Sequence, residues 1–278
     1  MNAITSILLH VDLSPRSAVR LQAALDIAAR YGAVVTAIFA GSTVLPEMPY
    51  SYAAGAAAAA LAAEQHLEAR ERAKAALQLH LRSDGPPVIW ADLVGDALVS
   101  GFIQESAYAD LLVLGQAEAG AGERIGEAPG GFVENVVIDS GKPALIVPAQ
   151  GAPHSIGRRV LVAWNGSAQA AHAVTAALPF MRQADLVRVI GWSAEPLAGR
   201  CSRVDIGTFL ARHGVTAEVE RRDVAPKIGA QIAMAAAEID ADLVVLGCYG
   251  HSRARERMLG GVTRSALTTL PVTMLLAH

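Results

Sequence analysis

The chain has 278 residues, 53% of them hydrophobic, and a formal net charge of −3. That length suggests about two domains, and the charge balance argues against broad nucleic-acid binding, as does an aromatic fraction of 5%, too low for stacking platforms. Two cysteines, Cys201 and Cys248, exclude a disulfide framework and fit a reducing compartment. The longest apolar run, Ala53–Ala63, is too short to span a bilayer, and no basic segment with an apolar core opens the chain, so a cytoplasmic protein is expected.

In chain order, Ser6–Val11 reads as a buried strand ending in Asp12 and a Ser-Pro turn, followed by the helix Ser17–Tyr31 and the strand Val34–Phe39. Ala53–Arg82 reads as a long helix, built on an alanine run and the local charges of Glu68, Arg70, Glu71, Arg72 and Lys74. Leu93–Tyr108 reads as a crossover helix, with Asp96 near its start. The strand of Asp110–Gly115 follows. Then comes a long stretch, 116–131, rich in Gly and carrying Glu118, Glu123 and Glu127; Pro143–Val147 is the last strand of this half.

The second half repeats this plan. Arg159–Ala163 ends in Asn165-Gly-Ser where the first half has Asp12-Leu-Ser. Helix Ala168–Ala184, strand Leu186–Trp192, a short helix Cys201–His213 and a crossover helix Pro226–Ile239 follow. Ala109-Asp-Leu-Leu-Val-Leu-Gly115 is mirrored by Ala241-Asp-Leu-Val-Val-Leu-Gly247, and Pro143–Val147 by Pro271–Leu276. Agreement in order at four places calls for duplicated domains, 1–149 and 150–278, joined by Pro148–Gly157. Alternation of strands and helices makes each an α/β domain with a mostly parallel sheet. The terminal strands Pro143–Val147 and Pro271–Leu276 carry exposed apolar edges of the kind that need covering.

The chemistry-bearing stretch is Ala241–Thr263. Gly247 and Gly250 let the backbone turn at a strand's carboxyl end, and Gly260-Gly261 open a helix from Val262, whose free N–H groups favour an anion. Arg253, Arg255 and Arg257 crowd the loop between. They read as a phosphate clamp or as a solvated loop balanced by Glu256. No Lys-Ser or Lys-Thr follows the glycines, so this is not a P-loop. Cys248 and His251 lack the further ligands a metal needs, so no metal is expected. Cys248 reads as a packing residue, and His10 as a satisfied core or pocket-edge histidine. Asp242 sits at the wrong end of its strand for catalysis.

Gly247-x-x-Gly250, nine residues, then Gly260-Gly261-Val262-Thr263 resembles the signature of the universal stress proteins, and Asp12, Asn165, Pro143 and Pro271 fit the same family. The resemblance covers nearly the whole chain as a tandem member, and it implies that the terminal strands Pro143–Val147 and Pro271–Leu276 meet at a pseudo-twofold interface between the domains. It implies two doubly wound domains, each a five-stranded, mostly parallel sheet of order 3-2-1-4-5 with helices on both faces. It also implies ATP or another adenine nucleotide at one site, in a stress-response role without dedicated catalysis. Carried onto this sequence, the site is Asn165, Leu246, Gly247, Tyr249, Gly250, Arg253, Gly260, Gly261, Val262 and Thr263. In such an order a crevice opens between strands 1 and 4.

Two positions depart from the family pattern. Asn165 replaces the usual Asp; its amide can donate and accept, which suits an adenine edge, or it makes a turn with Gly166 and Ser167. Gly261 replaces a hydroxyl residue, a loss of about 1.5–3 kcal/mol toward a phosphate. The first half keeps Asp12, which alternatively serves as a turn or helix-start residue, but not the glycine motif. It is expected to be degenerate for nucleotide, with a structural or partner-binding role. A structural or interaction protein without nucleotide, and a slow ATP hydrolase, are the rival readings, and homodimer formation stays open.

Overall fold

The computed structural model describes residues 4–42, 52–93, 98–116, 125–192, 205–223, 228–248 and 262–278, with backbone alone for 52–58 and 262–264. These residues fall into two compact units, Ile4–Ser140 and Gly141–His278.

In the first unit, β1 (Ser6–Val11), α1 (Arg16–Tyr31), β2 (Val34–Phe39), α2 (Tyr52–Gln78), β3 (Val88–Ala91), α3 (Leu98–Ser106), β4 (Leu111–Gly115) and α4 (Phe132–Ser140) follow one another. The strands are parallel in the order β3-β2-β1-β4. Strands buried on both faces need continuous apolar runs, and Leu111–Leu114 is almost wholly inaccessible. Helix α1 buries Leu21, Ala24, Ile27 and Ala28 on one stripe and stops at Gly32, whose φ of 71° makes a left-handed cap with its N–H donating to Ala28 O. Truncating Ile27 to alanine would cost about 2–5 kcal/mol by this burial. Helix α2 packs against α1 and β2 through a narrower seam of Ala62, Ala69, Ala73 and Leu77, leaving Leu61 and Leu67 exposed.

The second unit carries β5 (Ala144–Val147), β6 (Arg159–Ala163), α5 (Ala168–Met181), β7 (Leu186–Trp192), α6 (Ile206–Arg212), β8 (Glu218–Arg222), α7 (Ile228–Glu238), β9 (Leu243–Gly247), α8 (Val262–Thr269) and β10 (Met274–Ala277). The order β8-β7-β6-β9-β10 is parallel throughout and is the expected 3-2-1-4-5. Strand β5 pairs antiparallel with β10, Leu145 opposite Leu275, so the two terminal strands meet as expected. Through this pairing the first half's fifth strand clusters with the second unit. The third strands, β3 and β8, were not located in the sequence. Both are short, and Glu218–Arg222 is charged and part-exposed, as edge strands often are.

The repeated Ala-Asp-Leu motif has a structural cause. Asp110 accepts from Thr5 N at 2.9 Å, Thr5 Oγ1 at 2.7 Å and Ser6 N at 3.0 Å. Asp242 accepts from Ser155 Oγ at 2.5 Å and from the N–H groups of Gly157, Arg158 and Arg159 at 3.0 Å each. Each carboxylate thus ties the entry of the first strand of its half to the start of the fourth. Asp242 stands at the amino end of β9, away from the carboxyl ends where a crevice would open.

Candidate functional site

The candidate site of the second unit begins where β6 and β9 end. Asn165 is exposed, and its Oδ1 accepts from Ser167 N at 3.1 Å, with Gly166 at φ 71°. The expected turn is therefore present, and the amide nitrogen has no protein partner among the described residues. Ser167 then caps α5, its Oγ accepting from Ala170 N at 3.1 Å. Gly247 closes β9 directly against this first turn. A Cβ there would lie 2.3 Å from Ala170 N and 2.5 Å from the Gln169 carbonyl carbon, backbone atoms that cannot give way. Glycine is thus required for close packing of strand end and helix start. Leu246 is buried and sits in register with Ala163.

Trp192, the last residue of β7, completes the described part of this site. Ala163 of β6 is in register with Ile190 of β7, so Asn165 and Trp192 both lie two residues further along parallel chains. The Trp192 indole Nε1 is buried without an acceptor among the described residues. An orphaned buried donor costs about 1–3 kcal/mol. Sequence reading passed over this residue; a tryptophan at a strand's carboxyl end, beside the polar residue of the neighbouring strand, was the available signal.

Cys248 is buried and in no disulfide among the described residues, the packing role expected of it. Its carbonyl contacts His278 Nδ1 at 3.1 Å, and the His278 carbonyl contacts His172 Nδ1 at 3.2 Å. Helix α8 starts at Val262 as predicted. Val262 and Thr263 form its first turn, but their side chains, and all of Tyr249, Gly250, Arg253, Arg255, Arg257, Gly260 and Gly261, lie outside the described residues.

The first unit fills the equivalent place with its own side chains. Counting from Asp12 and Asn165, Arg20 occupies the position that Ala173 holds in the second half. Asp12 Oδ1 accepts from Arg20 Nη2 at 2.5 Å, Ser14 N at 3.0 Å and Ser17 Oγ at 3.0 Å, and both charged side chains are about nineteen-twentieths buried. Arg20 also donates from Nε to His10 O at 3.1 Å and from Nη2 to Ser17 Oγ at 2.7 Å. Its Nη1 lies 2.5 Å from where a Cβ on Gly115 would stand, so the guanidinium occupies the end of β4. Across the strand ends runs the segment from Ile125. Leu13 N donates to Gly126 O at 2.8 Å, Gly126 N to Ser42 O at 2.7 Å, and Ser42 N to Glu127 O at 2.7 Å.

The electrostatics follow from this geometry. Burial works to raise the Asp12 carboxyl, but the Arg20 guanidinium outweighs it and holds the group well below the usual carboxylate range. Burial pushes His10 down to about 4, with its Nε2 3.0 Å from Ala40 O and its ring between Phe102 and Phe132. His10 is thus the satisfied core histidine that the sequence suggests. Asp12 is both a turn residue, as one reading had it, and the partner of an arginine that the sequence reading missed. The signal was Arg20 itself, a charge on the apolar stripe of α1 between Ser17 and Ala24.

Among the described residues no three or more His, Cys, Asp or Glu side chains group as metal ligands, and no helix is long and apolar enough to cross a membrane.

No family model and no curated protein matches the chain. Solved structures do. A universal stress protein from Archaeoglobus fulgidus DSM 4304 is 19% identical, with a TM-score of 0.63 over 98% of this chain and 97% of that one. A functionally unknown protein from Pseudomonas aeruginosa PAO1 is 18% identical, with a TM-score of 0.59 over 99% and 92%. A universal stress protein in complex with cAMP is 23% identical over 44% of this chain and 96% of its own, with a TM-score of 0.37. The internal repeat, the 3-2-1-4-5 strand order and these full-length matches together give the chain the universal stress protein fold in tandem, two-domain form.

Proposed function

We propose that this protein is a cytoplasmic stress-response binding module that takes one adenine nucleotide, ATP in the first instance, in its second half and has no dedicated catalysis. The observation that carries the reading is the asymmetry between two otherwise repeated strand ends. In the first half Asp12 is consumed by Arg20. In the second half Ala173 replaces that arginine, Asn165 is exposed and the Trp192 indole N–H has no acceptor among the described residues. Asn165 would read the adenine edge, which offers an acceptor beside a donor, while the indole adds an apolar wall and an N–H. The N–H groups that open α8 after Gly260-Gly261 would face the phosphates, with Arg253 as a charge partner.

Calorimetry with ATP, ADP and AMP tests this. Heat and a thermal shift are expected with at least one of them, and Trp192→Phe should weaken binding about tenfold through the lost donor. Asn165→Asp with Ala173→Arg copies the closed first half into the second and should abolish binding while the chain stays folded. Silence with all three nucleotides at millimolar concentration would favour the rival reading, an interaction protein without nucleotide. That reading rests on the Asn165 Oδ1 already engaged by Ser167. Release of phosphate from bound ATP over hours would favour the hydrolase reading instead.

A further inference from the structure

Asn165 has a covalent chemistry of its own, apart from recognition. It is followed by Gly166, and no other asparagine of the chain precedes a glycine. Both residues are exposed in the turn between β6 and α5. The Cγ of an asparagine can be attacked by the next residue's backbone nitrogen, closing a five-membered ring. Three groups govern that step: the attacking nitrogen, the oxygen that takes the developing charge, and the amine that leaves. The Gly166 N–H has no hydrogen-bond partner among the described residues. Gly166 stands in open space at φ 71°, with nothing within 4 Å of where a Cβ would be, and the missing Cβ leaves its nitrogen unhindered. Asn165 Oδ1 already accepts from Ser167 N at 3.1 Å, a donor that stabilises the negative charge gathering on Oδ1 as the ring closes. Nδ2, the leaving group, has no protein partner among the described residues.

Related pairs elsewhere lack this combination. Asp84 also precedes a glycine, but Gly85 N donates to Arg82 O at 3.2 Å and the carboxylate is held by Arg82 Nε at 3.0 Å. Asn135 lies within α4 and precedes the β-branched, fully buried Val136. The first half shows the turn with a carboxylate in place. Asp12 accepts from Ser14 N at 3.0 Å, the same bond that Asn165 makes with Ser167. A carboxylate therefore fits the turn at Asn165, and its charge is favoured near the N-terminus of α5. With Ala173 where α1 has Arg20, α5 gives it no counter-ion at that position.

We propose that Asn165-Gly166 is a self-modification site, at which the chain converts its own asparagine to aspartate and isoaspartate. Solvent base takes the Gly166 N–H proton and the nitrogen bonds to Asn165 Cγ. The Cγ–Nδ2 bond breaks, and the amine leaves as ammonia after taking a proton from water. Water then opens the succinimide, at Cγ to give aspartate or at the Asn165 backbone carbonyl to give isoaspartate. Aspartate keeps the turn, whereas isoaspartate inserts a methylene into the backbone and disrupts it. Either product replaces a side chain that donates and accepts with one that only accepts. The consequence for a ligand rests on the nucleotide reading; the conversion itself does not.

The test is peptide mapping by mass spectrometry of the folded full chain, held for days at mildly alkaline pH without nucleotide. The tryptic peptide Val160–Arg182 is expected to gain a single mass unit at Asn165 and to separate into two products of equal mass, while Asn135 keeps its mass. The rate should rise with pH, because the attacking nitrogen must lose its proton. Gly166→Ala should slow the gain severalfold, and Asn165→Gln, which must close a larger ring, should nearly abolish it without straining the backbone. The proposal is overturned if Asn165 keeps its mass in the folded chain, and a gain confined to the urea-unfolded chain would show the turn protecting it instead. Equal gain at Asn135 and Asn165 would also overturn it, since the turn would then confer nothing. Because no nucleotide is present, silence in the calorimetry leaves this result unaffected.

Discussion

Arg20→Ala isolates the feature that separates the two halves. The substitution removes the Nη2 bond to Asp12 and the Nε bond to the His10 carbonyl, and it leaves a carboxylate only 5% exposed without its counter-ion. Breaking one side of a buried ion pair costs about 3–5 kcal/mol, a large share of the roughly 5–15 kcal/mol that holds a domain folded. Adding Asp12→Asn removes the stranded charge and recreates the Asn165 and Ala173 pairing of the second half, so the double variant should recover at least half of the loss. Urea denaturation read by hydrogen exchange resolves β1 and β4 amides from those of β6 and β9, which matters because two units need not unfold together. The pH response supplies a second readout. In the native protein the folded carboxyl lies below its ordinary value of 3.8, so stability is lost as pH falls through and below that value. Without Arg20, burial raises the folded carboxyl above it, and acidification through the same range should stabilise the single variant. A cost below about 1 kcal/mol, the level of a surface pair, or a double variant no more stable than Arg20→Ala, would refute the reasoning.

His10 predicts a pH dependence of the same sign at higher pH. Its folded value of about 4 lies below the ordinary 6.5, so the unfolded chain binds more protons between them and stability should fall as pH drops through that window. The loss is about 3 kcal/mol at full effect, and urea midpoints of His10→Phe should lack this dependence. Asp242→Ala removes the acceptor of four hydrogen bonds and should lower stability by about 2–3 kcal/mol in thermal melts, since bonds to charged groups carry most weight. Gly247→Ala would drive a Cβ onto the Ala170 backbone and should cost about 1–3 kcal/mol. ATP affinity should fall with it, as the strand end is pushed from α5.

Where the chain carries periodic signals, its elements were legible. Val34–Phe39 and Leu186–Trp192 form strands with the bounds that their apolar runs predict, and the alanine run up to the charges of Lys74 forms one helix. Strands β3 and β8 were not, because a short edge strand with one solvated face, such as Glu218–Arg222, carries no continuous apolar run. The candidate site divides in the same way. Gly247 and the start of α8 at Val262 follow from turn and helix chemistry that is local in sequence. The commitment of Asp12 to Arg20 and the Trp192 indole, without an acceptor among the described residues, do not, because each depends on which side chain of another element reaches the same point.

By itself, the sequence determined a duplicated α/β architecture and the glycines that let strand ends turn. Repeat order, apolar periodicity and backbone permissiveness are all properties of neighbouring residues. Only the tertiary structure decided that Asp12 and Asn165, matched in the repeat, have opposite fates. A helix turn of α1 brings Arg20 over β4 and neutralises the first, while Ala173 leaves the second open to solvent. Burial, and the partner that burial supplies, separates two residues that the repeat makes equivalent.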